Sequence, residues 1–401
     1  MSSAQSLSAP VDSEAVAVDT ARPVIFVVSQ SGSRANGGVE SISEILQRLR
    51  RVKPIVVTHR ETAVTQRWRE AGYSVKAWPM DANGVRMISA LAANLKMFRL
   101  VRTTGCRVVH CNDIAALWHT AFGARLAGAK VVFNVRNIKP ATQRYGWRWQ
   151  WGRRLSQRQV VLSREMQTEL QRRLGVANDD REGIDYIYSA VDLTRFSPVD
   201  DSRRIELRQR LGIPADSFAI GCVAPFDQRK AQLDFIRQAG PHVKNLMPQA
   251  RIYFIGDFVP AQNDYARRCA EAAESIGLAD RISFVGFSTD INNWYRALDV
   301  TVIASRNEGL ARCMIESLAC GTPVVSFEVC SAREILEQLD RGLVVPQGDY
   351  PALVRAIGRL AAEDETRRKL GKTSVDAARR LFDPRRAVAR YEQLYLALTE
   401  D

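Results

Sequence analysis

The sequence has few histidines, no paired-cysteine motif and no long apolar run. Its four histidines, His59, His110, His119 and His242, make no metal-ligand spacing with its seven cysteines. A structural zinc site is therefore not expected. The cysteines (Cys106, Cys111, Cys222, Cys269, Cys313, Cys320, Cys330) are odd in number and scattered, without a Cys-x-x-Cys pair. That argues against a disulfide frame and for buried thiols in a reducing cytoplasm. Nowhere do about 18 apolar residues run together, so no membrane-spanning helix is expected. Residues 1–22 hold Asp12, Glu14 and Asp19. They lack the basic start and apolar core of a signal peptide and are expected to form a disordered N-terminal tail. Gly-x-Gly-x-x-Gly is also missing, so the dinucleotide fingerprint is absent.

What is present is enough for two domains: 401 residues, 46% of them hydrophobic. The net charge of +13 favours an anionic partner: a nucleotide-sugar, an anionic lipid surface or nucleic acid. The plain alternative is a basic surface that only aids solubility. Short β-branched runs alternate with amphipathic stretches. Runs at 24–29, 54–58, 73–78, 107–110, 130–135 and 160–163 read as buried strands, and so do 218–223, 251–256, 281–286, 299–304, 322–327 and 342–345. The stretches 39–51, 115–127, 231–247, 263–277 and 351–362 read as helices between them. Strands this apolar imply parallel sheets covered on both faces, hence two Rossmann-like domains. The join is expected where SPVDD breaks the pattern. The expected division is 23–198, 199–382 and a terminal helix in 383–401.

The most informative segment is NEGLARCMIESLACGTPVV, residues 307–325. Glu308 and Glu316 stand eight apart. Gly309 reads as the opening of a helix with Met314, Ile315 and Leu318 on its apolar face. Eight helical residues rise roughly 12 Å. That is about the reach from the sugar of a nucleotide-sugar, past its diphosphate, to its ribose. Backbone N–H groups at the helix start, around Gly309, Leu310, Ala311 and Arg312, would face the phosphates. The bland alternative is two ordinary acids around a surface helix. Earlier in the chain, SRANGGVES (33–41) places Gly37 and Gly38 at a second helix N-terminus, suited to a phosphate or sugar.

The block ESLACGTPVV, together with the two glutamates and Gly-Gly-Val-Glu, resembles the retaining glycosyltransferases of family 4. The resemblance runs from about residue 23 and is stronger in the second half. It implies a GT-B fold, two Rossmann-like domains facing a cleft, with the donor on the second and the acceptor on the first. It further implies retention at the anomeric carbon, a nucleoside diphosphate sugar of UDP or GDP type as co-substrate, and no required metal or cofactor. Glu316 would bind ribose, and Glu308 would orient the sugar and stabilise charge at its ring. Lys230 stands at the family's lysine and, with Arg229, would hold the diphosphate. Phe287 is a candidate base contact, with core packing as its alternative.

The chain departs from the family at several places. Pro225 stands for a usual arginine, Ala231 and Ala311 for glycines, Leu310 for an aromatic, and Arg136 with Asn137 for a histidine segment. Arg312 is a possible replacement cation, and Arg136 a possible partner for a phosphate or acidic sugar. Asn112 and Asp113 are candidate acceptor contacts. The run 136–158 has no acid, many arginines, and Trp147, Trp149 and Trp151. That composition fits a membrane interface, a pyrophosphate-lipid or lipopolysaccharide acceptor, or stacked bases, nucleic acid being the least expected. The alternative is a helix that buries its tryptophans. The expected function is sugar transfer to a cell-envelope glycan, lipopolysaccharide or lipid-linked acceptor, in the cytoplasm or peripherally on the inner membrane face. Competing readings are a nucleotide-sugar epimerase or hydrolase, and a donor-binding partner subunit with impaired catalysis.

Overall fold

The computed structural model describes residues 21–29, 37–80, 87–139, 143–176, 183–336 and 343–400. Residues 1–20 of the expected tail (1–22) and the start of the Gly-Gly segment (33–36) lie outside the described residues, whereas Arg22 already belongs to the first strand. Seven parallel strands form the first sheet: β1 (Arg22–Val28), β2 (Val52–Thr58), β3 (Ser74–Ala77), β4 (Val108–Cys111), β5 (Lys130–Asn134), β6 (Arg158–Val161) and β7 (Ile184–Tyr186). Their order is 3-2-1-4-5-6-7. Six more form the second: β8 (Phe218–Val223), β9 (Ala250–Ile255), β10 (Ile282–Gly286), β11 (Val300–Ile303), β12 (Val324–Phe327) and β13 (Val344–Val345), in the order 10-9-8-11-12-13. Each sheet reverses its order once, between β1 and β4 and between β8 and β11. Ligands of such sheets sit beyond the strand C-termini at these switch points.

The period of two decides which side of the first sheet each residue feeds. Val24, Phe26 and Val28 face a layer built from the helices Gly37–Leu46, Ala63–Glu70 and Pro384–Glu400. Ile25 and Val27 face the helices Met87–Thr104, Ile114–Leu126, Trp147–Leu155 and Arg164–Leu174. The Pro384–Glu400 helix therefore packs on the first sheet. Its Tyr395 hydroxyl bonds His110 Nδ1 at 2.9 Å, and Glu392 Oε1 accepts the N–H groups of Arg50 and Arg51 at 2.6 Å.

The second sheet begins its own packing at Asp200, whose side chain accepts from Arg203 N at 2.8 Å and caps the helix Asp201–Arg210. Arg204 and Arg208 of that helix reach the buried Asp299 at 2.8 and 3.0 Å. This pins the helix to the edge of β11.

Three expectations change. β7 was not foreseen, since Asp185 interrupts its three residues. The stretch 231–247 is two helices, Gln232–Gln238 and Gly240–Leu246, because Pro241 is tolerated only in a first turn. The helix after Glu308 starts at Arg312, with Ala311 as its N-cap, and not at Gly309.

Candidate functional site

A cavity of about 910 Å³ lies between the two sheets, at the C-terminal ends of their strands. The loop after β11 and the helix Arg312–Ala319 form its second-domain wall. Glu308 is buried in that loop, and its Oε1 accepts from Lys230 Nζ at 2.5 Å. Lys230 ends a short 3₁₀ turn, Gln228–Lys230, that Asp227 caps by accepting from Arg229 N at 2.7 Å. Arg306 N donates to Arg229 O at 2.8 Å, which ties this turn to the Glu308 loop. Arg229 itself is exposed at the cavity mouth, and Pro225 lines the wall nearby.

Glu316 lies in the second turn of the helix and also lines the cavity. It accepts from Arg312 Nε at 2.6 Å and from the Tyr295 hydroxyl at 3.0 Å. Burial raises its carboxyl above the ordinary range, and Arg312 and Tyr295 act against that rise. Arg312 reaches on across the cleft, donating to Ser41 Oγ at 3.1 Å and Ala190 O at 3.2 Å. A possible diphosphate cation in the sequence reading, it is here a strut between the domains.

The first-domain wall comes from the start of the helix Gly37–Leu46 and from the segment after β5. Gly37 lies so close to Arg312 that a Cβ there would sit 3.3 Å from Arg312 Cβ. Arg136 and Asn137 line the cavity. Arg136 Nη1 meets Asn112 Oδ1 at 3.5 Å, a long contact. Burial opposes its charge, as does the facing Arg312 guanidinium. Its carbonyl lies against Gly309: a Cβ on that glycine would be 2.0 Å from Arg136 O. Asn307 Nδ2 bonds Ile138 O at 3.1 Å beside it. The two walls are thus in direct contact at this point. Gly309 is small for the sake of the opposite domain, and the chain stays non-helical until Arg312.

Other expected residues are placed differently. Asn112 is fully buried beneath Arg136, so it is not an acceptor contact. Asp113 lines the cavity, but it caps the helix Ile114–Leu126, accepting from Ala116 N at 2.8 Å and from Ser29 N at 3.1 Å. Ala311 is buried behind the wall that Leu310 lines. Phe287 is half exposed and lines the cavity, against the core alternative. Trp149 is buried and stacked on Tyr145 at 3.9 Å, so it is not at a membrane interface, whereas Trp147 and Trp151 are exposed. A bulky ring next to the switch point packs more favourably than it hydrates.

The sequence reading missed Tyr295, Ser41 and Asp257, which share the cavity. Only Asp257 carried a signal, as a carboxylate just beyond a parallel strand. Among the described residues no three His, Cys, Asp or Glu side chains converge as a metal site.

The architecture, two parallel-sheet domains meeting at their strand C-termini, is that of the GT-B glycosyltransferases. Residues 35–195 match the family model described as Glycosyltransferase Family 4, and residues 217–363 the one described as Glycosyl transferases group 1. The chain is 31% identical over 306 residues to 2-deoxystreptamine N-acetyl-D-glucosaminyltransferase of Streptomyces fradiae, covering 73% of this chain and 67% of that protein. It is 31% identical over 173 residues to the lipopolysaccharide core biosynthesis mannosyltransferase LpsB of Rhizobium meliloti, covering 42% and 48%. Against several other curated relatives it spans about half their length. Anabaena HepE, solved with UDP and glucose, superposes with a TM-score of 0.78 at 19% identity, covering 92% of this chain and 98% of that one. The chain belongs to the family 4 (group 1) glycosyltransferases.

Proposed function

We propose that the chain moves a sugar from a nucleoside diphosphate sugar, UDP or GDP type, to a hydroxyl of a cell-envelope glycan, lipopolysaccharide or lipid-linked acceptor, with retention at the anomeric carbon. One observation carries this reading. Glu308 and Glu316, both buried, stand at the two ends of one cavity wall, each already held by a cation, with the helix start between them. In this reading the second domain holds the donor and the first the acceptor. Glu316 accepts the ribose hydroxyls with lone pairs not used by Arg312 and Tyr295. Lys230 is shared between Glu308 and the departing diphosphate, whose charge it stabilises in a cleft shielded from water. The helix start at Arg312–Cys313, which lines the cavity, adds N–H groups that have no intrahelical partner. The similarity to a 2-deoxystreptamine N-acetyl-D-glucosaminyltransferase and to a lipopolysaccharide core mannosyltransferase supports a hydroxyl acceptor.

The test is calorimetry with UDP, GDP and their sugars, followed by NMR of the product's anomeric configuration. Glu316→Ala should weaken nucleotide binding about tenfold to a hundredfold, because a buried charged acceptor is lost. Unchanged affinity removes Glu316 from the site, and an inverted product removes retention. A second reading, nucleotide binding without turnover, is favoured by Pro225, which leaves the cavity wall without the family's arginine. Tight UDP or GDP binding with no product from any acceptor tested would support it.

A further inference from the structure

The layer that covers one face of the first sheet leaves an unusual outer surface. Three of the layer's four helices, packed together, form it: Met87–Thr104, Ile114–Leu126 and Trp147–Leu155. Together they contain Lys96, Arg99, Arg102, Arg125, Arg148, Arg153 and Arg154 and not one Asp or Glu. Their outward apolar side chains are large. Met87, Ile88, Leu91 and Leu95 on the first helix are each half or more exposed. So are Phe122 and Leu126 on the second, and Trp147 and Trp151 on the third.

Apart from Trp147, these side chains stand outside the contacts that join the helices. The first two helices touch at backbone distance, where a Cβ on Gly123 would meet Asn94 O at 2.0 Å. Asn94 Oδ1 accepts from Gly123 N at 2.8 Å at the same crossing. The third helix seats Gly152 directly on Leu117. Trp118 and Trp147 pack edge to face at 5.2 Å with the Arg148 guanidinium over both rings. The layer is a rigid platform with its inner faces filled, and the exposed apolar groups are a surplus on top of it.

We infer that this platform docks on an anionic lipid bilayer. The choice of occupant rests on charge. A protein partner or a second copy of this chain would bring its own mixture of charges, and a self-contact would set one acid-free surface against another. A bilayer of acidic phospholipid supplies apolar depth for Ile88, Leu91 and the tryptophans, and phosphate for the arginines around them. The surface also reaches the cleft. Ile114, the first residue of the middle helix, lines the cavity, as does Trp149 of the third. An acceptor carried on a lipid would then enter the cleft directly from the surface on which the protein sits. That last step rests on the proposed transferase reading, whereas bilayer docking does not.

The experiment is co-sedimentation of the full chain with vesicles of phosphatidylcholine alone and with phosphatidylglycerol added, at low and high salt. Ile88→Ser/Leu91→Ser/Phe122→Ser is the test variant, since exposed side chains can be changed without unfolding the chain. Wild type should bind the anionic vesicles, release in high salt, and ignore phosphatidylcholine. The variant should bind roughly tenfold or more weakly, because three membrane-inserting side chains are gone. It should keep its melting temperature and its nucleotide affinity. No sedimentation of wild type, or equal binding by the variant, overturns the inference. So does a wild-type dimer in light scattering that the variant dissolves, because a second copy would then own the surface. Loss of nucleotide binding in wild type would strike the transferase reading alone.

Discussion

Gly309→Ala tests whether the closed arrangement of the two domains is the working one. The added Cβ would lie 2.0 Å from the Arg136 carbonyl oxygen and 3.2 Å from Asn137 Oδ1. Real Cβ contacts do not fall below 3.0 Å, so the walls must separate by at least the difference, 3.0 − 2.0 = 1.0 Å. Both partners at the closest contact are backbone, which cannot rotate away. Gly309 is not among the residues with positive φ, so alanine is not strained where it sits. The penalty therefore falls on closure and not on the fold of either domain. A 1 Å misplacement costs about a hundredfold in rate, or roughly 2.7 kcal/mol of barrier. Turnover should be followed as release of nucleoside diphosphate from whichever donor calorimetry identifies. The expected pattern is kcat down about a hundredfold, nucleotide affinity within a few-fold, and a melting temperature unchanged or slightly raised. Alanine in place of glycine stiffens the unfolded chain and favours folding by about 0.4–1 kcal/mol. Full kcat in the variant would refute the reasoning, because catalysis would then not need Gly309 against Arg136.

Two further outcomes follow from the backbone and from a buried base. Ala231 sits in the left-handed region at φ 56°, where a Cβ costs roughly 1–2 kcal/mol. Ala231→Gly should stabilise the second domain by about 0.5–1 kcal/mol after the entropy of glycine is deducted, read by urea denaturation; a destabilised variant would show that the Cβ packing outweighs the strain. His110 is fully buried, with its pKa pushed down to about 3 by burial and by nearby Arg136. A folded pKa below the unfolded value means the unfolded chain takes up the proton first, so stability falls as pH drops through about 6.5 toward the folded value. The expected loss between pH 6.5 and 5 is about 2 kcal/mol, and His110→Phe should flatten it. Buried Glu44, Glu165 and Glu316, raised by desolvation, act in the opposite direction as pH falls through their folded values, so the difference in slope between wild type and His110→Phe is the quantity to read.

The strand pattern was legible because both sheets are parallel and covered on each face, which makes nearly every strand an apolar run. β7 escaped because an edge strand of three residues needs no apolar run of its own. Within the site, Glu308, Glu316, Lys230 and the Gly37–Gly38 helix start were readable from spacing and resemblance, and the cavity brings them together. What could not be read was anything decided by the other domain. Spacing alone made Gly309 a helix opener, yet its neighbour is the Arg136 carbonyl, 173 positions away in the chain (309 − 136). Arg312 was a spare cation in the sequence and is a cross-cleft strut in the fold. Asn112 and Trp149 differ from the half-buried Asp113 and the exposed Trp147 only in which way one residue turns.

The helix Pro384–Glu400 has a consequence for synthesis. It completes a core whose other members all lie before residue 191. When a ribosome has made the first sheet, one face of it still lacks part of its cover. The missing piece arrives only after the whole second domain has been translated. About 200 residues at roughly 5–20 per second is a delay of some 10–40 seconds. During that interval Phe26, Val108 and His110 have no Tyr391 or Tyr395 to meet. The second domain is free to finish first, so the usual N-to-C order of domain maturation is inverted. Chains stalled short of residue 400 would show a native second domain beside an incomplete, protease-sensitive first domain.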